Sequence, residues 1–451
     1  MLRCVNSFGR GRVGEVLGGR LLAAMLAIGL AFARPAPARA DDPPPSSAAV
    51  SDSLAELARR IDVLAGELER EKMGEVVAPT ASEGRYGFGP AASKVYQKSH
   101  GVSVGGYGEM LFQHFDAEQD DDTEAGIPDE LDFLRGVLYF GYKWNDRWLF
   151  NSELEWEHAN TGKGGEAAVE FAYVEYLWRP TLGARGGLLL VPMGLVNELH
   201  EPTVFHGARR PVVEQAILPT TWRENGAGVF GETASLSYRS YVLAGFDAAE
   251  FTAEGIREGR QEGAESLAED WGWVGRIDWT GRPGLMVGGS LYAGQSGQGI
   301  ETLSGDVLDV GTVIYEGHVD WNWQGLGVRV LGAQSTLDDV ADLNAALGLV
   351  GAASVGEKQN GFYVEASYDL LARHTSGQRA LTPFVRYEQL DTQVEVPSGF
   401  DRDPAQDREV ITVGVDFQPI DPVVVKLEYQ DLKNEAETAT DQFNVALGYI
   451  F

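Results

Sequence analysis

The sequence predicts an all-β fold, a 16-stranded antiparallel transmembrane β-barrel preceded by a short N-terminal coiled-coil helix. Three observations support this prediction. An export signal opens the chain, apolar and polar residues alternate with period two from residue 101 to the end, and the connections between the alternating segments are short and long in turn.

Residues 1–40 have the pattern of a secretory signal peptide. Arginines precede an apolar run over 21–32, and Ala38-Arg39-Ala40 follows it with small residues. A helix needs about 20 apolar residues to cross a bilayer, and this run is shorter. The sequence therefore predicts cleavage after Ala40.

Charge and cysteine content exclude several function classes. Residues 1–40 contain six Arg and one Glu, so the remaining chain has 30 basic and 66 acidic residues and a formal net charge of −36. Such a surface repels nucleic acid. Because Cys4, in the signal, is the only cysteine, the mature chain has no disulfide, zinc-thiolate site or cysteine nucleophile. No cofactor is expected.

The segment between the signal and the alternating region contains one short helix. A Pro/Ser/Ala linker over 41–50 precedes a predicted coiled-coil helix over 51–72, whose apolar residues have heptad a/d spacing: Leu54, Leu57, Ile61, Leu64 and Leu68. An isolated helix this short is only marginally stable in water. The predicted helix therefore requires a partner, either another copy or another surface. Residues 73–100 are predicted to be a linker.

Residues 101–451 are predicted to form the outer-membrane barrel. In one example, Val313, Tyr315, Val319, Trp321 and Trp323 alternate with more polar residues. Sixteen segments follow this pattern: 102–115, 131–143, 147–158, 167–179, 185–192, 226–237, 240–249, 271–280, 285–294, 311–323, 326–335, 359–370, 380–390, 409–417, 422–431 and 442–451.

The two ends of the predicted barrel differ. Connections after even-numbered strands are mostly tight, for example 144–146, 237–239 and 324–325, whereas those after odd-numbered strands are long, and the first, 116–130, has eight acidic residues and no basic one. An aromatic girdle is predicted near the tight turns: Trp144, Trp148, Trp178, Tyr238, Tyr241, Trp279 and Trp323.

Several stretches resemble the phosphate-selective porin O and P family. They are GYGE (106–109), LFNSELEWEH (149–158), GLLLVP (187–192), MGLVNELHEP (193–202) and PTTWRENG (219–226). The resemblance covers 101–451 and implies a homotrimeric outer-membrane porin, in some members with a preference for anions such as phosphate. The terminal Phe451 resembles the signal read by the barrel assembly machinery.

This sequence departs from the family in charge. Family members have basic pores, whereas the predicted lumen positions here are acidic: Glu153, Glu155, Glu157, Glu316, Asp320 and Glu365. We therefore expect a general porin for small hydrophilic solutes or ions, in the outer membrane of a Gram-negative-type bacterium, with the N-terminal helix in the periplasm.

The third long loop, 193–225, is the predicted constriction. In porins such a loop folds inward, and here Arg209, Arg210 and Arg223 can face Glu198, Glu201, Glu214 and Glu224. Opposed charges in a narrow passage favour dipolar solutes. Arg209 and Arg210 are the expected pore contacts, and Arg223 is the expected anchor.

The sequence also leaves some functions other than a porin open. His200-Glu201 resembles the start of a zinc-protease motif, but His206 is six positions on rather than four, so no metal site is expected. The chain is not expected to be an enzyme, although an outer-membrane barrel lipase stays open. Further alternatives are a barrel without an open channel that tethers the envelope through the heptad helix, and a soluble secreted β protein.

Overall fold

The computed structural model describes residues 84–162, 164–372 and 379–451. The predicted signal peptide (1–40), linker (41–50) and coiled-coil helix (51–72) lie outside the described residues.

Sixteen strands form the barrel, as predicted. Their bounds are β1 Gly101–Phe115, β2 Glu130–Lys143, β3 Trp148–Glu157, β4 Ala167–Arg179, β5 Leu182–Leu190, β6 Arg223–Glu232, β7 Leu236–Ala244, β8 Trp271–Arg282, β9 Leu285–Gln295, β10 Gly311–Trp323, β11 Leu326–Leu337, β12 Lys358–Tyr368, β13 Ala380–Glu395, β14 Asp407–Ile420, β15 Val423–Asn434 and β16 Gln442–Ile450.

Short helices lie outside the strands. The α-helices are α1 Lys94–Gln97, α2 Val212–Ala216 and α3 Val340–Leu347, and the 3-10 helices are Ala248–Glu250, Arg257–Gly259, Gly351–Ala353 and Pro404–Gln406.

The sheet closes on itself, because each strand pairs antiparallel with the next and β1 pairs with β16. In that last pair, Tyr107 faces Ile450 and Phe115 faces Gln442. Gly106 and Phe451 exchange backbone hydrogen bonds of 3.0 and 2.9 Å just beyond it. The closed sheet has no free edge, which is the condition for strands to lie in a bilayer.

The two faces of the barrel differ in polarity. On β10, Val313, Tyr315 and Trp323 are exposed on the outside, whereas Glu316 and His318 point inward and are buried. The same alternation along every strand yields an apolar outer band around a polar interior.

Strands β5 to β7 begin earlier in the chain than the sequence predicted. The turn predicted at 237–239 lies at 233–235, between β6 and β7. As a result Tyr241, which we had assigned to the aromatic girdle, points inward and is 1% exposed. The assignment was wrong because Gly and Ala in this region blur the alternation, so the turn was placed four residues too late and Tyr241 was taken to lie beside it.

Candidate functional site

Residues 191–222, between β5 and β6, form a crossing loop that contacts inward side chains around the barrel. Glu428 on β15 accepts hydrogen bonds from the backbone N–H of Ala208 (2.8 Å) and Arg209 (3.2 Å). Farther around the barrel, His200 Nε2 lies 3.2 Å from Glu153 on β3, and Glu214 accepts a hydrogen bond from the Tyr363 hydroxyl (2.7 Å) on β12, seven strands from β3. A segment that reaches such distant strands through inward-pointing residues lies within the lumen.

Buried side chains satisfy the backbone of the crossing loop. Asn197, fully buried, donates to the carbonyls of Val191 (2.6 Å) and Trp222 (2.9 Å) and accepts from the Trp222 N–H (2.7 Å). Glu214 accepts from the N–H groups of Leu195 and Val196, both at 2.8 Å. Because buried polar groups must be paired, these bonds hold a loop that has little regular structure.

A strongly charged cavity of about 280 Å³ lies between the crossing loop and the long loops, and we call it the outer cavity. Glutamates of β1, β3 and β4 and of two loops line it together with arginines, six of each: Glu109, Glu155, Glu157, Glu166, Glu170, Glu262, Arg135, Arg209, Arg210, Arg223, Arg257 and Arg260.

The charges of the outer cavity are partly paired. Arg135 lies 3.0 Å from Glu109 and 3.2 Å from Glu155. Arg223 bonds Glu170 (2.8 Å) and Glu262 (3.0 Å), which connects β6 to β4 and to the loop that follows β7. Arg135 thus neutralises part of the acidic wall, and Arg223 links three elements.

Arg257 and Arg260, from the loop that follows β7, lie beside each other at the edge of the outer cavity. Burial and the neighbouring Arg260 lower the pKa of Arg257 to about 10, so Arg257 keeps its charge at neutral pH. Both arginines donate to carbonyls of the crossing loop, among them those of Gln215 (3.1 Å) and Pro219 (3.3 Å). They therefore fix that loop as well as charge the cavity.

The structure places the seven candidate constriction residues in two groups. Arg209, Arg210 and Arg223 line the outer cavity, whereas the glutamates that we expected to face them do not. Those glutamates are buried beside other partners: Glu198 pairs with Arg239 (2.8 Å), Glu201 and Glu214 accept backbone N–H groups, and Glu224 accepts from Gln261 N (2.9 Å). The arginines face glutamates of the barrel wall instead, because each of these four carboxylates already has another buried partner.

The six acidic residues predicted to line the lumen all lie on inward positions, but their surroundings differ. Glu155 and Glu157 line the outer cavity, and Asp320 lines a second one. The other three are buried in pairs: Glu153 with His200, Glu316 with His318 (2.9 Å) and Glu365 with Arg386 (3.1 Å).

A second cavity of about 350 Å³, the inner cavity, lies between the crossing loop and the short turns. Phe205 lines both cavities. The Lys426 ammonium lies 3.8 Å from the centre of the Phe205 ring and donates to the carbonyls of Phe205 (2.9 Å) and Gly207 (2.8 Å). Phe205 and its neighbours therefore separate the two cavities.

Sequence reasoning missed several residues of this site. Arg257 and Arg260 carried one signal, because they are the only bases in the acidic segment 250–270. For Arg135 and Lys426 the sequence contains no signal except that each lies at an inward-facing position of its strand.

In the described part of the chain, no group of three or more His, Cys, Asp or Glu residues could hold a metal ion. Over the same residues, no helix is long and apolar enough to span a membrane.

Comparisons with known proteins agree with this fold. No family model matches the chain. Salmonella typhi OmpF in complex with daunomycin superposes with a TM-score of 0.51 at 11% identity, over 79% of this chain and 99% of that chain. The outer membrane channel DcaP of Acinetobacter baumannii superposes with a TM-score of 0.50 at 11% identity, over 78% and 97%. The fold is thus that of outer-membrane porins.

Sequence similarity identifies the family. An uncharacterized protein of Aquifex aeolicus (strain VF5) is 37% identical over 390 residues, which cover 84% of this chain and 86% of that protein. The chain belongs to the same family as this Aquifex protein.

Proposed function

We propose that this protein is an outer-membrane porin through which small hydrophilic solutes or ions diffuse passively, with the crossing loop as its constriction. The observation that carries the proposal is the outer cavity, whose lining of six arginines and six glutamates lies inside a barrel with an apolar exterior. Charges in such numbers favour water and polar solutes over a packed apolar core.

The arrangement of charges supports weak ion selectivity and a preference for dipolar solutes. Arg209, Arg210, Arg257 and Arg260 come from loops, and most of the facing glutamates come from the wall of β1 to β4. The resulting transverse field aligns a solute that carries both charges. Resemblance to phosphate-selective porins favours anions, but the wall glutamates oppose a strong preference.

Assembly and location follow from the same proposal. The apolar band would contact outer-membrane lipid, the C-terminal Phe451 would serve the barrel assembly machinery, and the predicted helix over 51–72 would lie in the periplasm. We propose a homotrimer, as the resemblance implies. Cross-linking of the purified protein in detergent tests this state, and a species at the mass of one chain alone contradicts it.

Channel activity is tested with purified protein in planar bilayers and in liposomes. We expect stepwise conductance, and swelling of liposomes in small sugars and zwitterionic amino acids with a cut-off at larger sugars. Protein that folds by heat-modifiable migration on gels, yet shows neither conductance nor swelling, contradicts the proposal.

A second candidate is a barrel without an open channel that anchors the envelope. The observation in its favour is the filled lumen, because Phe205 and Ala208 of the crossing loop are 5% and 7% exposed between the two cavities. Two results together would support this alternative: no conductance at any voltage, and an outer membrane that detaches from the rest of the envelope when the helix over 51–72 is deleted.

A further inference from the structure

Residues 84–97, which we name the inner segment, have exposed ends and a middle part that is as buried as a protein core, although the sequence predicted them to be part of a linker. Phe88, Ala91, Ala92 and Val95 are 1–3% exposed. Helix α1 lies within this segment and contacts β1 and β2. Burial of this extent means that the segment has a defined binding place on the barrel, and its contacts identify that place.

Inward side chains of several strands hold the inner segment. Asn151 on β3 donates to the Ala92 carbonyl (3.0 Å), and the Tyr96 hydroxyl donates to Glu175 on β4 (2.9 Å). The guanidinium of Arg185 on β5 lies 5.0 Å from the centre of the Phe88 ring. The segment therefore covers the inner wall on this side of the barrel, in the half toward the short turns.

The crossing loop rests on the same segment. Glu201 of that loop, 1% exposed, accepts hydrogen bonds from the N–H groups of Ala91 (3.0 Å) and Ala92 (3.1 Å). Contact is also close at Gly87, where a Cβ atom would lie 2.7 Å from Glu198 Oε1. These bonds give two buried N–H groups of the inner segment their acceptor, so the inner segment and the crossing loop support each other.

The inner cavity shows what space the inner segment leaves. Gly84, Gly89 and Pro90 line one side of it, and residues of β10, β11, β13, β14 and β15 line the other, among them Asp320 and Asp416. A solute that leaves the crossing loop toward the short turns therefore has only this half of the lumen available.

We propose that the inner segment is a plug that sets the size limit of the channel, by closing the half of the lumen beside β1 to β7 and by supporting the crossing loop. This inference rests on the proposed porin function. Removal of the segment opens the lumen beside β1 to β7 and also takes away the support of the crossing loop, which is the proposed constriction, so single-channel conductance should rise by up to about twofold.

Two variants test the plug. One deletes residues 84–97, and the other, Ala92→Asp, places a carboxylate against Glu201 and the buried wall so that the segment is expelled while the barrel keeps its sequence. Lys98→Asp, on the exposed end that follows α1, is the matched control. We expect up to about twofold higher conductance and faster entry of larger sugars for the first two variants, and no change for the control.

A thiol label separates failure of the plug from failure of the channel. In protein without the signal, Asn151→Cys is the only thiol, and the inner segment shields it. A bulky maleimide should label it in the deletion or Ala92→Asp background but not in the full-length wild-type background. Equal labelling in all backgrounds, or folded variants whose conductance and sugar cut-off match wild type, would overturn the plug. If the inner segment protects the introduced thiol from the label but no variant carries current, the result would support the position of the plug and overturn the proposed channel.

Discussion

Replacing both Arg209 and Arg210 with alanine is expected to make the channel more permeable to cations. Both residues line the outer cavity, where six arginines oppose six glutamates, so the double variant leaves four arginines against the same glutamates. Neither side chain forms the backbone bonds to Glu428 that hold this part of the crossing loop, because those bonds come from the N–H groups of Ala208 and Arg209. The double variant removes one side-chain bond within the loop, from Arg210 to the Thr221 hydroxyl (2.6 Å), and leaves the bonds to Glu428, so the loop should keep its place.

The size of the effect can be estimated from Coulomb's law. A unit charge about 7 Å from a passing monovalent ion contributes about 0.6 kcal/mol in water, with opposite sign for cations and anions. At about 0.1 M salt, a screening length of about 10 Å halves this value. Loss of two positive charges then favours cations over anions by about 1.2 kcal/mol, which corresponds to about an eightfold change in the permeability ratio.

Reversal potentials across a salt gradient in planar bilayers measure this ratio. The control is Arg147→Ala with Arg282→Ala, which removes the same charge from exposed positions beside the short turns. We expect a shift of several tens of millivolts for the cavity variant at low salt, a smaller shift at high salt, and almost none for the control. Equal reversal potentials in wild type and the cavity variant would exclude both arginines from the permeation path.

Three further predictions concern the plug, the crossing loop and the barrel exterior. Burial raises the pKa of Glu201 to about 7 against the lowering effect of the Ala92 and Ala91 N–H groups, so docking of the inner segment should weaken as pH rises from about 4.5 to 7. Labelling of Asn151→Cys, divided at each pH by the rate in the variant that lacks residues 84–97 so that thiol ionisation cancels, should rise over that range, and Glu201→Gln should abolish the rise in this ratio. Glu428→Ala should lower the free energy of unfolding by about 1–3 kcal/mol, because it leaves two buried N–H groups without acceptors, and denaturant titration in detergent measures the loss. Val364→Lys, on the lipid-facing side of β12, should cost about 2–4 kcal/mol in unfolding from vesicles, and a cost near zero would contradict the assigned face.

Sequence patterns predicted most of the barrel and part of the site. The segment 311–323 agrees with β10 at both ends, and all sixteen strands were predicted. The arginines of the crossing loop were recognised from their charge and their place in a long loop. The full set of glutamates that line the cavity with them was not recognised, because Glu155 and Glu170 are far away in sequence and join Arg209 and Arg210 in one cavity only when the barrel closes.

The misassigned residues have two physical causes. Tyr241 was assigned to the girdle because it lies close to the turn predicted at 237–239, but the turn lies at 233–235, and Tyr241 occupies an inward position farther along β7. The inner segment looked like a linker because its Gly, Ala and Ser residues carry no periodicity. Its small side chains are what allow it to pack closely inside the barrel, as Gly89 illustrates: a Cβ atom on that glycine would lie 2.6 Å from Glu201 Oε1.

The sequence by itself determined that this chain forms a membrane-type barrel, because period-two alternation assigns each side chain to a face and the connection lengths distinguish the two ends. Only the tertiary structure decided what fills the lumen. The inner segment, the crossing loop and the wall strands are distant in sequence, and their mutual contacts depend on hydrogen bonds and charge pairs that no local pattern encodes.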